Sequence, residues 1–344
     1  MNQQSLNLFH AAIRPAVLVL LAVMVFALSG CAETAESTPA DTAPAPTPTT
    51  PADPTATQPV LTPTPIPYQS PDWFDQAVLY SIFVRSFADS DGDGIGDLNG
   101  ITNRLDYLET LGVDVIWLLP IHPSPSYHGY DVSDYFAVNP DYGTLEDLQA
   151  LTDAAHQRGM RLILDLVSSH LSNQNPLFQE AYGNPDAENE DWFEFTNDDN
   201  TQYAGFINLR EMPRFNHYNP GVVNYLTEAA LYWIDLDQDG DYSDGIDGFR
   251  VDNATYPPRE FFASLRQSLK AANPEILLLG EVWVEDTRTL TTYYPDMFDA
   301  LFNFPMYKIV QGSQDANNDN LLVGSTRPVL LEIAVLDELS LIHI

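Results

Sequence analysis

The feature that most constrains this chain is a series of short apolar runs separated by helical patterns, beginning near residue 78. "AVLYSIFV", "VDVIWLLP", "RLILDLV", "IDGFRVD" and "EILLLGEVW" show almost no polar alternation, and "MFDALFNF" continues the series as a sixth. A strand with one wet face alternates apolar and polar residues, whereas a strand covered on both faces does not. Between the runs stand "ITNRLDYLETLG", "TLEDLQALTDAAHQRG", "NPGVVNYLTEAALYWI" and "PREFFASLRQSLKAAN". Ile101, Leu105, Leu108 and Leu111 share one face of the first, which Gly112 closes. Thr144 and Asp147 form a variant capping box at the start of the second, and Gly159 ends it. Asn219 and Pro220 open the third. Strands alternating in this way with helices predict a parallel sheet covered by helices.

An open doubly wound sheet and a closed barrel both satisfy that pattern, and the polar residues choose between them. Asp165, His170, Arg250, Asp252 and Glu281 stand at or just past the C-terminal ends of different runs. Side chains from several strand ends converging on one face is how a (β/α)8 TIM barrel builds a site. An open sheet favours a single crevice with a Gly-rich phosphate loop, and the sequence has no such loop. The expected fold is therefore an α/β TIM barrel, incomplete at the C-terminus with about six strands, over residues 72–330. Residues 171–216, rich in Asn, Asp and aromatics, are too long for an ordinary connection and form a small inserted domain after strand 3. There Trp192, Phe193 and Phe195 either line a cleft or form the insertion's own core.

Asp252 ends the fourth run and Glu281 the fifth, about one strand–helix unit later. Neighbouring strands lie about 4.8 Å apart, so the two carboxylates can approach the roughly 5–5.5 Å separation used by retaining glycosidases. Arg250, two residues before Asp252 and on the same strand face, is expected to keep Asp252 charged as a nucleophile. Glu281 follows "ILLLG" and precedes Trp283, an apolar setting expected to keep it protonated as the acid. An isolated Arg–Asp pair at a strand end is commonly a structural ion pair, but this pair has company.

From about residue 75 to 305 the chain resembles the alpha-amylase superfamily of glycoside hydrolases (family 13 type). "DLVSSH" (165–170), "GFRVD" (248–252) and "GEVW" (280–283) are similar to its first, second and third conserved regions. "MPRFN" (212–216) resembles the short region before the fourth strand, and "PSPSYHGYDVSDYFAVNPDYGT" the second-strand loop that forms a sugar subsite. The resemblance implies Asp252 as nucleophile and Glu281 as acid/base. It implies Tyr130, His170 and Arg250 around the sugar at the cleavage point, with Asp165 in support; Asp131 in "GYD" resembles the residue that holds a terminal sugar in exo-acting members. Two departures stand out. Ser169 occupies the position where the family usually has Asn, often a calcium ligand, and the family's third carboxylate, an Asp following His, has no match. The function implied is retaining hydrolysis of alpha-1,4-glucosidic bonds in starch-like glucans. The alternatives are an exo-acting alpha-glucosidase, oligo-1,6-glucosidase or transglycosidase, or a non-catalytic glucan-binding lipoprotein.

"DSDGDGIGD" sets Asp89, Asp91, Asp93 and Asp97 in a glycine-bearing loop that, with the Ile95 carbonyl, can surround a structural calcium ion. Asp235, Asp237 and Asp239 in "DLDQDGDYSDG" repeat the pattern without a clear final bidentate ligand. With 14 Lys and Arg against 49 Asp and Glu, the net charge of −35 disfavours nucleic acid and anionic lipid as partners but suits a neutral glucan. The single cysteine excludes an internal disulfide. It ends "LSGC" after an apolar run from Ala16 to Leu28, which resembles a lipoprotein signal over residues 1–31 with Cys31 as the acylated residue. Residues 32–71, holding 11 of the chain's 26 prolines, read as an extended tether. The expected location is therefore an exported, membrane-anchored surface, with the lipid as the only membrane contact. "LSLIHI" back-translates as a transposon-end adapter, so residues 331–344 read as a non-native tail on a truncated gene, and the chain as it stands is expected to hydrolyse little.

Overall fold

The computed structural model describes residues 70–284, 286–294, 296–305 and 341–342. The expected signal with Cys31, nearly all of the tether, and the tail apart from residues 341–342 lie outside these. Among the described residues seven strands run in chain order: β1 (Leu79–Ile82), β2 (Val115–Leu118), β3 (Arg161–Val167), β4 (Gly248–Asp252), β5 (Leu277–Gly280), β6 (Ala300–Phe302) and β7 (Leu341–Ile342). Eight α-helices lie between them: α1 (Val84–Phe87), α2 (Leu98–Thr102), α3 (Leu105–Leu111), α4 (Leu145–His156), α5 (Pro176–Ala181), α6 (Pro220–Trp233), α7 (Arg259–Ala272) and α8 (Thr287–Thr291). Among the described residues no helix is long and apolar enough to cross a membrane.

Every strand pairs in parallel with the next, in the order β1 to β7. The sheet curls. Trp117 on β2 and Phe302 on β6 bring their rings to 5.7 Å, although four steps in a flat sheet would separate the strands by about 19 Å. Val115, Trp117, Ile163, Leu277, Leu279, Ala300 and Phe302 form the apolar cluster inside the curve. The alternate residues, among them Ile116, Leu162, Leu164, Phe249, Val251 and Leu278, pack outward against the helices. Each fully buried Leu or Ile on these layers contributes about 1.5–3 kcal/mol. The runs lack alternation because both faces are covered. The expected incomplete barrel is what folds, with the two-residue β7 as an addition that the six-strand reading did not anticipate.

One device recurs where strands begin. Asp114, Asp247 and Asp299 each directly precede a strand, and each carboxylate accepts the backbone N–H opening the neighbouring one. Val78, Leu162 and Leu278 are the donors, each at 2.8 Å. Asp247 also meets His156 at 2.8 Å and Arg161 at 2.7 Å, and the fully buried Asp299 meets Arg266 at 3.0 Å and Lys270 at 3.1 Å. These carboxylates belong to the end of the sheet opposite the candidate site.

Two sequence expectations change. "AVLYSIFV" is strand only to Ile82, because the acidic loop folds back on α1: Gly96 N–H donates to the Arg85 carbonyl at 2.8 Å, and a Cβ on Gly96 would collide with the Val84 carbonyl. "ITNRLDYLETLG" is two helices, α2 capped by Asp97 and α3, broken at Asn103–Arg104. Ile101, Leu105 and Leu108 are fully buried as expected, but Leu111 is 52% exposed. The caps hold elsewhere. Thr144 and Asp147 form a complete capping box on α4, and Asn219 caps α6 ahead of Pro220. In the insertion, Phe193 and Phe195 pack with Phe178, Tyr203 and Phe215, which makes the core reading correct for these two. Trp192 instead meets Tyr225 of α6, at 5.8 Å.

Candidate active site

The sheet register assembles the site. Asp165 lies opposite Arg250 and Val167 opposite Asp252 on the β3–β4 pair. Val251 lies opposite Gly280 on the β4–β5 pair, so Asp252 faces Glu281 across neighbouring strands. One guanidinium joins all three acids: Arg250 Nη1 is 2.7 Å from Asp165 Oδ1 and 2.9 Å from Asp252 Oδ1, and its Nη2 is 2.6 Å from Glu281 Oε1. Arg250 sits in an aromatic seat, 5.3 Å from the Trp117 ring, 5.8 Å from Phe302 and 5.9 Å from Tyr130. Tyr130 also donates its hydroxyl to Asp165 Oδ2 at 3.2 Å. The strand-end acids singled out in the sequence therefore gather around one arginine, and Trp117 and Phe302 are additions that an apolar-run reading assigns only to the core.

Two buried carboxylates, Asp165 and Asp252, and the partly exposed Glu281 share one buried cation, and the electrostatics follow from that imbalance. Burial pushes Asp252 up to about 7, Arg250 opposes the shift, and the charges of Asp165 and Glu281 add to it. Asp165 is raised in the same way, by burial first, against the pull of Arg250. Arg250 favours the charged form of Asp252 as expected, but it is not the largest influence. Desolvation exceeds the attraction of one cation divided among three anions. The expected apolar setting of Glu281 is corrected. Its carboxylate is ion-paired with Arg250 and accepts the Asn253 N–H at 3.1 Å, while Trp283 is 47% exposed.

His170 is fixed as a neutral ring. Burial lowers it to about 4. Its Nε2 faces the Tyr130 carbonyl at 3.1 Å, which can only accept, so Nε2 carries the proton. Nδ1 then accepts from the Ser169 hydroxyl at 2.7 Å. Phe206 of the insertion stacks on the ring at 4.6 Å, and also meets Tyr256 and Trp283 edge-on at the rim. Sequence reasoning missed Phe206 and Asn253. Asn253 has φ +43° directly after Asp252, and its only sequence signal is that Asn tolerates the left-handed region. Asp131 turns into its own loop, where the Ser124 hydroxyl donates to it at 2.6 Å and Ser126 also donates. No described hydrogen bond joins it to the Arg250 cluster.

Of the first acidic loop, Asp89, Asp91 and Asp97 bring carboxylate oxygens within 4.8 Å of one another. Gly92 and Gly94 adopt positive φ, and their N–H groups donate to Asp89. Asp93 lies outside this trio and accepts the Ile95 N–H at 2.7 Å. Asp235, Asp237 and Asp239 form a second trio of the same dimensions. Asp244, raised by burial and then by Asp237, Asp239 and Asp241, is a further carboxylate there that the sequence reading did not assign.

Comparisons with known proteins agree with this geometry. Residues 81–326 match the family described as alpha amylase, catalytic domain. Alpha-amylase 2 of Dictyoglomus thermophilum is 37% identical over 254 residues, 71% of this chain and 43% of that protein. An intracellular maltogenic amylase of Bacillus subtilis is 37% identical over 263 residues, 69% of this chain and 42% of that protein. The crystal structure of an alpha-amylase from H. orenii aligns with TM-score 0.59 at 39% identity, covering 68% of this chain and 52% of that one. The chain thus spans about half the length of the relatives it matches.

Proposed function

This chain belongs to the alpha-amylase catalytic-domain family, and we propose that it carries the nucleophile and acid/base of a retaining hydrolase of alpha-1,4-glucosidic bonds in starch-like glucans. The observation that carries this reading is the pairing of Asp252 and Glu281 on neighbouring strands around one guanidinium. Asp252 attacks the anomeric carbon as Glu281 gives its proton to the departing oxygen. Glu281 then takes a proton from water as the water displaces Asp252. Arg250, in its aromatic seat, keeps both carboxyl groups aimed into the same space, and Tyr130, His170 and Asp165 bound the sugar. Support for the substrate class comes from the relatives, named as an alpha-amylase and a maltogenic amylase.

Calcium belongs to this proposal as a structural ion. The first acidic loop offers only oxygen donors, on a glycine-turned backbone, which suits a hard cation. Asp89, Asp91 and Asp97 would hold it, and because Asp97 also caps α2, the ion would stiffen the β1–α2 connection. Asp235, Asp237 and Asp239 would hold a second.

The test is product analysis on starch, using the full-length protein. An early fall in iodine staining is expected, with maltooligosaccharides released. Glucose as the sole product would replace this reading with the exo-acting one. Asp252→Asn should lower turnover by about 10³-fold or more while sparing glucan binding; unchanged turnover would remove Asp252 as nucleophile.

A further inference from the structure

The segment that follows the nucleophile grips the segment that carries the acid/base. Asn253 donates its backbone N–H to Glu281 Oε2 at 3.1 Å. The next residue, Ala254, donates to the Glu281 carbonyl at 2.8 Å, and Thr255 Oγ1 accepts the Trp283 N–H at 2.8 Å. A strand continued straight past Asp252 would point its successive N–H groups alternately at its two neighbouring strands. Here the left-handed backbone of Asn253, φ +43°, turns the N–H onto a side-chain oxygen instead.

The Asn253 side chain anchors that turn. It is fully buried, and its Nδ2 lies 3.4 Å from Ser169 Oγ. The Ser169 hydroxyl has one proton, and His170 Nδ1 takes it, so the Ser169 oxygen is left to accept from the Asn253 amide. The order of donors is therefore continuous from Asn253 through Ser169 and His170 to the Tyr130 carbonyl.

We infer that Asn253 is a positioning residue for the acid/base: its left-handed turn aims an N–H at Glu281, and its amide ties that turn through Ser169 to His170. The inference rests on the proposed glycosidase reading. With Arg250 on Oε1 and Asn253 on Oε2, the Glu281 carboxyl is held at both oxygens.

The test separates acid/base catalysis from everything else by changing the leaving group. Breaking a glycosidic bond requires a proton on the departing oxygen, whereas fluoride leaves as the anion. Water requires a base to take its proton, whereas azide attacks the anomeric carbon as an anion and leaves a glycosyl azide. Asn253→Ala and Asn253→Gly are compared with the parent, in the full-length protein, on a maltooligosaccharide and on alpha-maltosyl fluoride with azide. Asn253→Ala should lose about 10²-fold in kcat on the oligosaccharide, since general acid–base catalysis supplies about 10²–10⁴, with KM changed less than about threefold. On the fluoride with azide the deficit should shrink to about tenfold or less. Asn253→Gly accepts the backbone conformation without strain, and should lose less than the Ala variant while showing the same recovery. This keeps the test readable if the Ala variant folds poorly. Equal losses on both substrates, or no loss on either, would overturn the inference. A parent inactive on both substrates would instead overturn the glycosidase reading.

Discussion

A carboxylate beside a guanidinium is ordinarily held charged, but Asp252 shares Arg250 with Asp165 and Glu281 in a buried space. Burial outweighs the pull of that one cation, and the neighbouring acids add to it, so Asp252 is pushed up to about 7. The sign of the effect is definite. Between the ordinary carboxylate range and about 7 the folded chain binds a proton that the unfolded chain has released. The group's contribution to stability therefore falls as pH rises through that window. Carbon-13 NMR of the labelled chain should show the Asp252 carboxyl titrating near 7, and Asp165→Asn, which removes one of the repelling charges, should lower that midpoint. A midpoint near 4 in the parent chain would show that Arg250 dominates after all.

At the scale of elements, the strands were legible in the sequence because the sheet is buried on both faces, which removes alternation from runs such as "RLILDLV". Helix caps were legible for the same local reason: Thr144, Asp147 and Asn219 bond within their own turn. The misreadings lie where distant contacts override a pattern. The acidic loop ends β1 early by packing on α1, and nothing local in "AVLYSIFV" reports it. The site was legible as a set of strand-end acids, but not as three acids on one cation, because shared partners appear only with register. The strand-opening aspartates make a prediction at this scale. Asp299→Ala leaves Arg266 and Lys270 buried without their common carboxylate, and should destabilise the chain by about 3–5 kcal/mol in urea unfolding; a loss under about 1 kcal/mol would show that the pair finds other partners. The first acidic loop makes another. Calcium at 100 times its dissociation constant should stabilise the fold by about 2.7 kcal/mol, seen as a rise in Tm that chelator reverses. An unchanged Tm, or one unaltered by Asp89→Ala, would remove the ion from the account.

Across the molecule, one curled sheet divides its labour between its ends. Buried aspartates at the strand starts satisfy backbone N–H groups and basic side chains, and acids at the strand ends converge on an arginine. That division is what a barrel offers, stability at one end and chemistry at the other. The family match and the curled sheet agree on it. The most direct measurement is to trap the intermediate. The full-length protein, incubated with a slow fluorinated alpha-glucosyl fluoride and digested with protease, should yield one glycosylated peptide, modified at Asp252. A label on another carboxylate, or turnover without any covalent adduct and with inverted product, would contradict the central claim.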